Sequence, residues 1–167
     1  MRERGRKLRV DIDEAERELD EAEELWLERL GKVVVDTYAI IADLTGQAPS
    51  GVTEVLDNVR KGTIKGILHY LVVYELAYHW KRGRLPFRDE GELLEFVNRY
   101  FTITALDLNI AIEGVGCEAQ RKLTVADATT VAIAVGSGAP IVTGDTDLSY
   151  IARMLLGSWE RPLSGKC

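Results

Sequence analysis

At 167 residues, 46% of them hydrophobic and 29% charged, the chain has the length and apolar content of one ordinary folded domain, which excludes disorder throughout. No run approaches the ~18 consecutive apolar residues of a membrane span, and two cysteines far apart in sequence, Cys117 and Cys167, suggest neither a disulfide framework nor a thiolate zinc site. The net charge of −6 argues against nucleic acid only until it is mapped: residues 1–30 hold 11 acids and 7 bases, leaving 16 acids and 14 bases for the rest.

The basic start MRERGRKLR leads into acidic residues and not an apolar segment, so a secretory signal is not expected and the chain is placed in the cytoplasm. Residues 11–30 set Ala15, Leu19, Ala22, Trp26 and Leu30 at helical spacing with Asp and Glu opposite, an amphipathic helix outside the main fold. GKVVVD (31–36) reads as a strand ending in Asp, and TYAIIADLTG as a helix stopped by Gly46. After the loop QAPSG, VTEVLDNVRKG reads as a short helix, and residues 61–83 as one long helix closed by Gly83. RLPFRDE is a turn, GELLEFVNRY a helix, FTITALD a second strand and LNIAIEGVGCEAQRK a helix. TVADATTVAIAVGSG is helical, APIVTGD a strand, TDLSYIARML a final helix, and WERPL an added edge strand. Strands alternating with helices predict an α/β fold with a central parallel sheet covered on both faces, because parallel strands need helical crossovers.

Five carboxylates stand out against this pattern. Asp36 and Asp145 each follow a strand, so both would emerge at the carboxyl edge of the sheet, where open α/β folds bind ligands; each also suits an N-cap. Glu75 follows Leu68, Leu71 and Val72 at spacings of seven, four and three, which sets it on an apolar stripe. Burying an isolated carboxylate there is costly unless it meets a metal ion or a basic side chain, or its pKa rises enough for it to become neutral. Asp127 follows Thr124 as in a capping box and also heads an inward face continued by Val131 and Val135. Asp147 would add a ligand or enrich a first helical turn in negative charge.

Carboxylates gathered in one cleft repel each other by about 4 kcal/mol per pair at ~4 Å and an effective dielectric near 20, so such a cluster calls for a cation. Oxygen-only donors select Mg²⁺ or Mn²⁺, which acidify a water and stabilise charge on a phosphate. With these five acids neutralised, the chain beyond residue 30 carries 14 bases against 11 acids.

Taken together, VVVDTYAII with Asp36, HYLVVYELAYHW with Glu75, and LTVADATTVAIAVGSGAPIVTGDTDL with Asp127, Asp145 and Asp147 resemble the PIN domain family, in size the VapC-type toxins and their archaeal relatives. The resemblance implies a three-layer α/β/α domain over residues 32–160, with 1–31 a helical extension and 161–167 a tail. It also implies a metal-dependent endoribonuclease acting on RNA, often a homodimer and often restrained by an antitoxin. Carried over by residue, Asp36, Glu75, Asp127 and Asp145 match the acidic quartet and Asp147 an accessory position. Thr143 matches a hydroxyl position that orients a ligand or water, or is an ordinary strand threonine. Tyr38 stands where many relatives have a small hydroxyl residue.

Lys61, Lys65, Arg82, Arg84, Arg88, Arg121 and Lys122 are candidates for phosphate contact, none individually assigned. Tyr70, Tyr74, Tyr78 and Trp80 suit base stacking, but more often such a helix face is core or dimer interface. Two other forms of the family remain open, an RNA-processing nuclease without antitoxin and a non-catalytic RNA-binding or scaffold module, the latter usually lacking one of the four acids. A phosphatase would want a second Asp that DTYAI lacks, and a receiver domain an acidic pair and a late Lys that are absent.

Overall fold

Three consecutive valines, Val33, Val34 and Val35, are wholly buried on a four-residue strand, and the rest of the sheet is built outward from them. The computed structural model describes residues 31–121 and 123–144, with the side chains of 117–121 excepted. In chain order the elements are β1 (Lys32–Val35), α1 (Thr37–Leu44), α2 (Ser50–Lys61), β2 (Lys65–His69), α3 (Tyr70–Lys81), α4 (Glu90–Tyr100), β3 (Phe101–Thr104), α5 (Leu108–Arg121), α6 (Val125–Ser137) and β4 (Ile141–Val142). The expected helices at 11–30 and over TDLSYIARML, and the WERPL edge strand, lie outside the described residues.

The four described strands run in the order β3-β2-β1-β4, every pairing parallel. Val34 pairs with Ile67 on one side and Ile141 on the other. Parallel strands buried on both faces favour continuous β-branched runs, which is why KVVV forms the centre. Val34 and Ile67 pack with Ile133, Ala134 and Ala139, so α6 covers that face. Side chains alternate across a strand, and Gly66 therefore faces the other way, where a Cβ would lie 2.7 Å from Val59 Cγ1 of α2. Helices on both faces make the three-layer α/β/α arrangement.

Residues 61–83 are not one helix: α2 ends at Gly62, whose φ of +79° stops it, and Lys65–His69 form β2 before α3 begins. Leu68 fits the helical spacing to Leu71, Val72 and Glu75, but a strand buried on both faces is an apolar run that periodicity alone cannot tell from a buried helix. The sheet decides it, because β2 pairs with both β1 and β3. Glu75 keeps its place on the following helix, which Gly83 closes with a φ of +67°. The strands expected over FTITALD and APIVTGD are also shorter, ending at Thr104 and confined to Ile141–Val142. Tyr70, Tyr74 and Tyr78 are exposed, so they are not core, whereas Trp80 is partly buried and its Nε1 donates to the Phe87 carbonyl at 2.9 Å.

Candidate active site at the carboxyl edge of the sheet

Chain order reverses direction across the sheet at β1, with β2 on one side and β4 on the other, and open α/β sheets bind ligands at such a switch point. Asp36 stands there. Its N–H continues the β1–β4 ladder by donating to the Val142 carbonyl at 3.0 Å, and its side chain is almost wholly buried. It occupies the N-cap of α1 without a side-chain capping bond, so the capping role does not explain it. Instead Thr143, just past β4, donates its hydroxyl to Asp36 Oδ2 at 2.9 Å.

Glu75 comes from α3, which packs against α1. Among the described residues it has no ion pair; its Oε2 accepts a short hydrogen bond from the buried hydroxyl of Thr37, the first residue of α1. Thr37 thus holds Glu75 beside Asp36. Tyr38, which departs from the small hydroxyl residue of many relatives, turns its ring against the backbone of Gly144, where a Cβ would meet it at 2.2 Å.

Asp127 sits in the first turn of α6. Its N–H donates to Thr124 Oγ1 at 3.2 Å, so Thr124 caps the helix as the sequence pattern predicts, and the same hydroxyl donates to Asp127 Oδ2 at 2.6 Å, in place of the backbone N–H that a full capping box would use. Its place at the cap does not isolate it, because the Asp127 charge still reaches Asp36.

Burial first, and then the charges of Asp127 and Glu75, raise the Asp36 carboxyl from 3.8 to about 6 against the Thr143 hydroxyl and the Thr37 N–H, which lower it. The charges of Glu75 on α3 and Asp127 on α6 therefore both reach Asp36 at the carboxyl end of β1. Asp145 and Asp147 lie outside the described residues.

The donor set is all oxygen, and the charges of Asp127 and Glu75 disfavour the ionised form of Asp36, which fits a hard divalent cation. Among the described residues no three acidic, imidazole or thiol groups are close enough to hold an ion by themselves.

Sequence reasoning missed Thr37, whose role depends on a contact between α1 and α3 that no local pattern encodes. It also missed the buried pair of His69 on β2 and Thr130 on α6, joined at 2.8 Å.

These features define an α/β/α protein with an acidic centre at the carboxyl edge of a parallel sheet. The chain belongs to the PIN domain family, whose model matches residues 33–154. PIN domains are in general nucleases. Among solved structures, the chain is similar in fold to PAE2754 from Pyrobaculum aerophilum, with a TM-score of 0.51 and 24% identity over 71% of this chain and 86% of that one. No curated protein matches the sequence.

Proposed function

We propose that this protein is a metal-dependent endoribonuclease in which Asp36, Glu75, Asp127 and Asp145, with Asp147 as accessory, hold Mg²⁺ or Mn²⁺ against an RNA phosphodiester. The observation that carries this reading is Asp36: a carboxylate kept near 6 by burial, beside two further acids, at the switch point of the sheet. A bound cation would relieve that repulsion, acidify a water and stabilise charge on the phosphate. The chain's own part is to orient the donors. Thr143 fixes one oxygen of Asp36, Thr37 one oxygen of Glu75, and Thr124 one oxygen of Asp127, leaving the opposite oxygens for the cation and its waters.

In this reading residues 32–160 form the nuclease domain, 1–31 a helical extension and 161–167 a tail. A homodimer is supported by the outer face of α5, where Leu108, Ile112 and Val115 are 75%, 64% and 64% exposed at helical spacing. Among the described residues no helix is long and apolar enough to cross a membrane, in keeping with a cytoplasmic enzyme. Restraint by an antitoxin belongs to the same proposal, on family membership alone.

The experiment is cleavage of mixed RNA by the purified full chain with Mn²⁺, Mg²⁺ or EDTA, beside Asp127→Asn. Asn preserves an oxygen for the Thr124 hydroxyl, so the cap survives while the charge is lost. Metal-dependent cleavage that drops by a factor of about 10² or more in the variant supports the reading. Cleavage unaffected by EDTA and by Asp127→Asn would end it.

A further inference from the structure

His69 is the last residue of β2 and fully buried. It lies on the same face of the strand as Ile67, the face covered by α6. Its Nε2 is 2.8 Å from Thr130 Oγ1. The Thr130 hydroxyl also lies 3.1 Å from the carbonyl of Ala126, one turn back, and donates to it. A hydroxyl carries one proton, so with that proton given to Ala126 the bond from His69 must run the other way: Nε2 carries the hydrogen and Thr130 accepts it. Burial lowers the imidazole from 6.5 to about 4, so the ring is neutral at physiological pH, as this tautomer requires. Nδ1 is then a bare acceptor, without a hydrogen-bond partner among the described residues.

An imidazole at this point costs more than a leucine would, since one ring nitrogen is buried unpaired. What it supplies is direction. The buried side of helix α6 is mostly small, with Ala128, Thr129, Ala132 and Ala134 beside Val131 and Ile133, and of these Ile133 packs on Val34 and Ile67 of the sheet through apolar contact alone. Apolar burial is non-directional, whereas a hydrogen bond is satisfied in a narrow range of orientations. Thr130 follows Asp127 by three residues, so the two share a face of the helix. The same His69 immediately precedes α3, the helix that carries Glu75.

We propose that His69 is a positioning residue for the acidic centre: its Nε2–H, donated to Thr130, sets the rotation of α6 and thereby holds the Asp127 carboxylate toward Asp36. This rests on the reading of Asp127 as a cation-holding group.

The test is Mn²⁺ binding, followed by calorimetry on the folded full chain, for wild type, Thr130→Val, His69→Gln and His69→Asn, with thermal unfolding in parallel. Gln places its amide nitrogen near the Nε2 position, whereas Asn reaches only to that of Nδ1. Thr130→Val and His69→Asn are expected to weaken Mn²⁺ binding by about tenfold or more, the range for residues that orient metal ligands, with His69→Gln within about threefold of wild type. Should His69→Asn fail to fold, Thr130→Val, which at nearly constant volume removes the acceptor for His69 together with the hydroxyl's bond to the Ala126 carbonyl, carries the decision alone. Thr130→Val that unfolds at lower temperature yet binds Mn²⁺ as wild type does would make the bond merely structural and overturn the inference. A wild type that binds no Mn²⁺ removes the cation reading itself, and the inference with it.

Discussion

Thr143 and Asp36 are separated by 107 residues in sequence, yet the hydroxyl of one donates to Oδ2 of the other at 2.9 Å, joining β4 to β1 at the point where the sheet reverses its order. This bond favours the charged form of Asp36 against burial. Thr143→Val is therefore expected to raise the Asp36 pKa further and to weaken Mn²⁺ binding by about tenfold near pH 6, while Thr143→Ser stays close to wild type. Calorimetric titration at pH 6 and pH 8 checks it, and the loss must be smaller at pH 8, where Asp36 is ionised in both proteins.

The raised pKa of Asp36 makes the metal-free protein less stable as pH rises. An unfolded Asp titrates near 3.8 and this one at about 6, so the folded state holds its proton longer; the stability this confers is present below 3.8 and is lost as pH climbs through 6. A shift of this size corresponds to about 3 kcal/mol. Asp36→Asn, neutral at every pH, is thus expected to unfold at a higher temperature than wild type at pH 8 without metal, with the gap closing by pH 4. Equal pH profiles for the two proteins would contradict the burial argument. Cation binding displaces the same proton, so Mn²⁺ affinity should fall by up to tenfold per unit below pH 6.

His69 works in the opposite direction. Burial lowers its pKa to about 4, so stability present above 6.5 is lost as pH falls through 4, because only the unfolded chain takes the proton readily. His69→Gln should flatten the acid limb of a stability curve between pH 6.5 and 4, measured by urea unfolding. An unchanged acid limb would mean that the ring gains its proton without opening the core.

The parts of this protein that announce themselves in sequence are those whose physics is local. KVVV ending in Asp36 is a buried strand by composition, and Thr124 with Asp127 marks the start of α6 by a capping pattern that the structure forms. Glu75 is legible as an acid among apolar neighbours, although one neighbour used to place it, Leu68, belongs to a strand. What cannot be read is what depends on tertiary contact. β2 is a strand because β1 and β3 flank it, Thr37 meets Glu75 only because α1 lies against α3, and Thr130 is an unremarkable helix threonine until His69 is brought beneath it.

The Thr37 contact is the one most exposed to test. Its hydroxyl is buried and directed at Glu75 Oε2, so Thr37→Val leaves that oxygen without its donor and frees the side chain to turn. Under the nuclease reading, kcat for RNA cleavage should fall by about tenfold with KM little changed, since an acidic ligand and not a substrate contact has been loosened. Thr37→Ser, which keeps the hydroxyl, should retain most of the rate. A change confined to KM would instead place Thr37 at the RNA surface.

Gly144 is constrained by its neighbour. A Cβ there would lie 2.2 Å from Tyr38 Cε1 and 2.5 Å from Cδ1, closer than any real contact, and Tyr38 is two residues from Asp36 on the helix that Asp36 begins. Gly144→Ala must therefore move either the ring or the segment that carries Thr143. Because the ring is half-exposed, it has room to turn outward, which limits the loss of stability to about 1–3 kcal/mol, the usual range for overpacking. Thr143 is adjacent to the strained position, so the same substitution should weaken Mn²⁺ binding. Adding Tyr38→Ala removes the obstacle, and the double variant should recover both stability and metal affinity relative to Gly144→Ala alone. Recovery of stability without recovery of affinity would show that the Tyr38 ring itself, and not only the space it fills, supports the Asp36–Thr143 pair.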